Sequence, residues 1–208
     1  MKSNRHITYD STYNGKRILT DKERGLGCDT SILEKTDKLI NHYTDKHNKV
    51  LCVRFDLGYP KEHIVPTDNK DFSKFTSTFN KNLKRNGLDP MYIAVREQSR
   101  EKHQHYHVAL LCDGNKVQHP HKIIKTAEKH WNAALNVEDK SNGLVDHCTR
   151  SRSGEKQVNS YRLRRNDADF EQVLNDSFER CSYLAKASTK GNAPSRTREV
   201  FSSRIPKG

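Results

Sequence analysis

His103-Gln104-His105-Tyr106-His107-Val108-Ala109-Leu110-Leu111 joins three imidazoles to a run of four apolar residues. On a strand the side chains alternate between faces, so His105 and His107 point one way and Tyr106, Val108 and Leu110 the other. Two imidazoles held two residues apart on a rigid strand make half of a metal site, and the apolar residues anchor that strand in a core. The preceding segment, Met91 to Gln98, has the same strand character. The polar stretch Ser99 to Gln104 joins it to a strand over Tyr106 to Cys112, which reads as a β-hairpin. A hairpin brings Glu97 across to the histidines and makes it the natural third ligand. His103, which shares their face, and Asp56, at the end of an earlier strand, stay open as alternatives.

Outward from the hairpin, helical and strand periods alternate. Lys49 to Leu57 (KVLCVRFDL) reads as a buried strand that ends at the turn Gly58-Tyr59-Pro60. Before it a helix is expected, capped by Asp29 or Thr30, with Ile32, Leu33, Leu39, Ile40 and Tyr43 as its apolar positions. Lys70 to Asn86 predicts a second helix with the stripe Phe72, Phe75, Phe79 and Leu83, ended by Gly87. Pro120 opens a third, whose buried face carries Ile123, Ile124, Ala127, Trp131, Ala134 and Leu135. Leu144 to Cys148 and Val158 to Leu163 read as a strand pair around an RSRSGEK turn, and Asp169 to about Ser188 as the last helix. The order implies an α+β domain over residues 29–188, with a central, mostly antiparallel sheet flanked by helices. Residues 1–28 read as an irregular N-terminal arm and 189–208 as a basic C-terminal tail, mobile or ordered by nucleic acid.

Charge points to the partner. The 208 residues carry 38 Lys+Arg against 26 Asp+Glu, a formal charge of +12, the electrostatic footprint of a protein that meets phosphates. Three basic stretches could track a DNA backbone: the helix face with Lys74, Lys81, Lys84 and Arg85, the run from Arg150 to Arg165 with Arg162, Arg164 and Arg165, and the tail that starts at Lys190. Tyr92, Tyr106 and Tyr161 could stack bases, but core packing suits each better. The five cysteines are far apart and odd in number, which argues against a disulfide framework and for a reducing compartment. With a polar N-terminus and no membrane-length apolar run, a soluble cytoplasmic protein of a bacterial cell is expected.

The last helix adds a nucleophile. Phe170, Val173, Leu174, Phe178, Cys181, Leu184 and Ala185 fall on one side at helical spacing, and Tyr183 falls nearly opposite, with Glu179, Lys186 and Lys190. A tyrosine kept for packing belongs on the apolar stripe. A phenol is a weak nucleophile at its ordinary pKa of about 10, and an ammonium such as Lys186 can stabilise phenolate character or developing phosphate charge.

The ordered set VRFDLGYP, a Glu-bearing strand leading into HYHVALL, and Ser182-Tyr183-Leu184-Ala185-Lys186 resembles the three motifs of rolling-circle HUH endonucleases. Thr189-Lys190 and Phe201-Ser202-Ser203-Arg204 extend the likeness toward the inovirus-type initiators of filamentous phages, over roughly Lys49 to Arg204. The resemblance implies a ferredoxin-like HUH domain. It also implies His105 and His107 as metal ligands with Glu97 as the third, Tyr183 as catalytic nucleophile and Lys186 as its electrostatic helper. Asp56 would support the site. The implied activity is nicking of single-stranded or supercoiled origin DNA, leaving a 5′-phosphotyrosine and a free 3′-OH for rolling-circle replication. The divalent metal is expected to be Mg²⁺ or Mn²⁺, although imidazole ligands also suit Zn²⁺.

Two features depart from many such initiators. No second tyrosine lies within a turn of Tyr183, and there is no G-x-x-x-x-G-K-[ST], so a host helicase and polymerase are expected partners. The rival readings are a non-catalytic metal- or nucleic-acid-binding protein, an HUH relaxase or transposase, and a metal-dependent nuclease that uses water.

Overall fold

The computed structural model describes residues 5–61, 66–98, 104–138, 143–151 and 153–206. The chain begins with short strands β1 (Ile7–Thr8), β2 (Thr12–Tyr13), β3 (Lys16–Arg17) and β4 (Cys28–Asp29), then α1 (Thr30–Lys46) and β5 (Lys49–Leu57). It continues through α2 (Lys70–Arg85), β6 (Met91–Glu97), β7 (His105–Asp113) and α3 (His121–Leu135). Next come β8 (Val145–Asp146), β9 (Ser160–Arg164) and α4 (Phe170–Ser182), two 3-10 turns (Tyr183–Ala185 and Ala187–Thr189), and β10 (Val200–Ser202).

The local signals act as their chemistry requires. Asp29 caps α1 by accepting from the Ser31 N–H at 2.9 Å. Gly87, at φ +71°, ends α2. The antiparallel hairpin β6–β7 pairs Glu97 with His105 and Val95 with His107. β7 also pairs antiparallel with β5, setting Asp56 opposite His107. The main sheet runs β10-β6-β7-β5, with β8 and β9 both on the far edge of β5. The fold is therefore α+β, with an antiparallel sheet.

Alternation along the strands feeds two cores. On one face, Phe72, Phe75, Phe79 and Leu83 of α2 and Ile123, Ala127 and Trp131 of α3 meet Val53, Phe55, Tyr106, Val108 and Leu110. On the other, Leu33, Leu39 and Ile40 of α1 and Leu174, Phe178 and Cys181 of α4 meet Cys52, Ile93, Val95, Ala109 and Leu111. Tyr106 stacks on Phe72 with ring centroids 4.2 Å apart, and the Trp131 indole N–H donates to the Gly58 carbonyl at 2.6 Å. Trp131 is wholly buried. Trp131→Ala should therefore destabilise the fold by about 3–5 kcal/mol, read from denaturant unfolding.

Several expected boundaries move. Residues 5–28 are not a loose arm: Ile18 and Cys28 are core residues, and Arg17 pairs with Asp176 and Glu179 of α4. β8 and β9 pair in succession with β5, not with each other, because β5 is long enough to receive both. The last helix stops at Ser182, since the backbone of Lys186 is drawn into a bridge with Cys28 and Ala187 donates to the Gly27 carbonyl. The tail is integral too. β10 covers the edge of β6, and Phe201 packs 4.8 Å from Phe72.

Tyr106 is buried, Tyr92 and Tyr161 are partly buried against the two cores, and none is splayed for base stacking. All five cysteines are free thiols. No helix among the described residues is long and apolar enough to cross a membrane.

Candidate functional site

Antiparallel register puts cross-strand partners on the same face of a sheet. Glu97 on β6, His105 and His107 on β7, and Asp56 on β5 therefore point together toward the α1/α4 side. The Nε2 atoms of His105 and His107 lie 3.3 and 3.0 Å from Glu97 Oε2. One donor atom from each of Glu97, His105 and His107 falls within 4.8 Å of the others, so the three could hold a metal ion. His103 lies outside the described residues.

The donor chemistry fits a divalent cation. His107 Nδ1 lies 2.6 Å from Asp56 Oδ1, so its proton is donated to that carboxylate and the neutral ring keeps its lone pair on Nε2. That Nε2 is buried and makes no hydrogen bond among the described residues, despite its closeness to Glu97. Arg54 Nη2 is 3.1 Å from the same Nδ1 and 2.9 Å from Asp56 Oδ1. With the proton on Nδ1, the guanidinium serves the carboxylate. Glu97 is divided between two roles: Oε1 accepts from the Lys190 ammonium at 2.5 Å, and Oε2 faces the imidazoles.

The charges are mutually supporting. Burial pushes Glu97 toward neutrality, but the two imidazoles and Lys190 outweigh it and hold the carboxyl well below the usual range. Burial opposes charge on Asp56 as well, and His107 and Arg54 overcome it. Burial likewise lowers His107, and Asp56 and Glu97 reverse it, leaving the imidazole more basic than usual. Mn²⁺ at about 100 times its Kd should stabilise the fold by roughly 2.7 kcal/mol, seen as a thermal shift. Asp56→Asn removes the negative charge that fixes the ring, leaving a weaker neutral acceptor, and should weaken that metal affinity about 10- to 100-fold.

Tyr183 opens the first 3-10 turn after α4, with its ring edge-on to His107 at 5.1 Å between centroids. The Arg54 guanidinium lies over its face at 4.7 Å, Lys186 Nζ at 5.7 Å and the Arg180 guanidinium at 6.0 Å. Together these residues line a cleft of about 740 Å³, with Asp146, Cys148 and Arg150 also on its wall. Burial opposes charge on Arg54, but Asp56, Cys148 and Tyr183 outweigh it and keep the guanidinium more basic. Burial, together with the charge of Arg54, makes Arg180 less basic. Arg180 bonds to Gln157 at 2.8 Å and to Asn159, which ties those two residues to α4.

His105, His107, Glu97, Asp56, Tyr183 and Lys186 thus share one place. Of the basic residues expected to contact DNA, Lys190 reaches this group and the others lie elsewhere. Lys190 is buried against Glu97 because Glu97 needs a counter-charge there. Lys74 donates to the Ala134 carbonyl and Asn136 at the end of α3. Arg162 binds Gln118, Arg164 pairs with Asp167, and Arg165 holds the Thr44 and Asp45 carbonyls. Lys81, Lys84 and Arg85 lie on α2, across the sheet from the cleft. The cations that line it are Arg54, Arg150, Arg180 and Lys186. Arg54 carried a legible signal: a charged residue amid the apolar strand VLCVRFDL, on the same face as Asp56.

The sequence profile of the YagK/YfjJ C-terminal domain matches residues 8–199. The chain belongs to that family. No curated protein and no solved structure matches it. The YagK/YfjJ domain takes in the whole cleft, from Arg54 to Lys186, and also Lys190 behind Glu97. Its matched span begins within β1 and ends just before β10. The short N-terminal strands that pack on α4 therefore belong to the same YagK/YfjJ domain as the cleft.

Proposed function

We propose that this protein nicks single-stranded DNA at an origin through attack by Tyr183, as an HUH-type rolling-circle initiator. The observation that carries the reading is the edge-on approach of the Tyr183 ring to His107, beside a Glu–His–His group able to bind a metal. The connectivity also supports it. β5-α2-β6-β7-α3-β9 gives the strand order β6-β7-β5-β9, with both crossover helices on one face, an order that favours the ferredoxin-like reading. α4 lies on the other face and carries the tyrosine to the histidines.

A divalent cation, Mg²⁺ or Mn²⁺, held by Glu97, His105 and His107 would supply Lewis-acid polarisation of the scissile phosphate. Tyr183 Oη attacks phosphorus and loses its proton to water. The bond from phosphorus to the 3′ oxygen breaks, and that oxygen takes up a proton to leave a 3′-OH. The 5′ phosphate stays on the tyrosine, so the phosphodiester energy is conserved for rejoining. Arg54 and Lys186 favour the phenolate and the developing phosphate charge. Asp56 orients His107, and Lys190 fixes Glu97. Host helicase and polymerase would extend the freed end.

The test is a covalent adduct. Labelled single-stranded oligonucleotides from a broad pool, incubated with the protein and Mn²⁺, should give an SDS-stable protein–DNA band that chelation prevents. A wild-type protein that forms no such band with any member of the pool overturns the reading.

A further inference from the structure

The outer surface of α2 carries a second, separate basic groove. Ser73, Thr76, Ser77, Lys81, Lys84 and Arg85 line about 610 Å³ of open space with no carboxylate on its wall. Lys81, Lys84 and Arg85 are exposed, and among the described residues none of them is paired with an acid. Their spacing of three and four puts all three cations on one side of the helix. The buried stripe of α2, Phe72 to Leu83, packs on the sheet face opposite the one that carries Glu97, His105 and His107. The groove and the cleft are therefore separated by the full thickness of the sheet.

We infer that this groove docks the sugar–phosphate backbone of duplex DNA flanking the strand held in the cleft, which rests on DNA as the substrate of that cleft. Hydroxyls and cations without an opposing acid are the donors that phosphate oxygens accept from, independent of base sequence. Single strands call for aromatic stacking platforms, and the one aromatic here, Tyr92, is partly buried and packed against the core beneath α2. From Ser73 to Arg85 the helix rises ~18 Å, the length of about five base pairs of duplex. A duplex lying along α2 meets all three cations at once.

Fluorescence anisotropy in the Tyr183→Phe background keeps the measurement independent of covalent chemistry. A duplex of roughly 20 base pairs and a short single strand are each titrated over a series of salt concentrations. Lys81→Ala/Lys84→Ala/Arg85→Ala should weaken duplex binding at least tenfold and flatten the slope of log K against log salt by roughly 2 to 3. Single-strand binding, and adduct formation by the otherwise wild-type protein with a short single strand, should be unchanged. Lys81→Arg/Lys84→Arg/Arg85→Lys should keep the duplex slope. The inference is overturned by an unchanged slope in the alanine variant, by equal loss of single-strand binding, or by loss of the slope in the charge-preserving variant. Failure of the nicking reading shows instead as a missing adduct in the wild type.

Discussion

Tyr183→Phe should eliminate the SDS-stable adduct and slow strand cleavage on the order of 10³-fold or more, while leaving DNA affinity unchanged. The substitution removes one oxygen. The ring that remains still presents its face to Arg54 and its edge relation to His107, so the cleft keeps its shape. Losing the group that makes the covalent bond removes the chemical step, as in other enzymes with a single nucleophile. The surrounding charges would still stabilise a phosphorane-like charge distribution, and water can exploit that stabilisation slowly. Gel analysis of adduct and nicked product under single-turnover conditions separates the outcomes. Cleavage that persists at the wild-type rate would assign the attack to water and leave Tyr183 as a lining residue.

The hairpin and its neighbours were legible because their signals are local. H-x-H on an apolar strand forces both imidazoles to one face, and a short polar connection forces Glu97 to arrive opposite His105; the register agrees. The stripes of α2 and α3 needed nothing beyond helical period. What escaped depended on distant partners. Lys190 reads as a tail lysine, and only the fold reveals that a buried carboxylate 93 positions earlier draws it inside. Residues 5–28 lack periodicity because their strands are two residues long, and α4 supplies the order they lack. The end of α4 depended on Cys28, whose backbone pairs with Lys186. Arg180 carried no signal in the sequence, because Gln157 and Asn159 reach it only in the fold.

The Glu97–Lys190 pair separates a structural role from a ligand role. Both side chains are nearly inaccessible, 4% and 1% exposed, and the ammonium sits 2.5 Å from Oε1. Burial makes Lys190 less basic, and the carboxylate of Glu97 is what counteracts it. Glu97→Gln takes from that buried ammonium the carboxylate in contact with it, so the fold should lose about 3–5 kcal/mol in denaturant unfolding. Lys190→Met added to Glu97→Gln removes the stranded charge and should recover most of the loss, because a buried ion pair replaced by a neutral pair is often close to neutral in stability. Metal binding should not recover, since the carboxylate oxygen facing His105 and His107 is still gone. Calorimetric titration with Mn²⁺ on the double variant therefore reads the ligand role alone. A refolded double variant that binds Mn²⁺ as tightly as the wild type would remove Glu97 from the ligand set and leave it as a structural partner of Lys190.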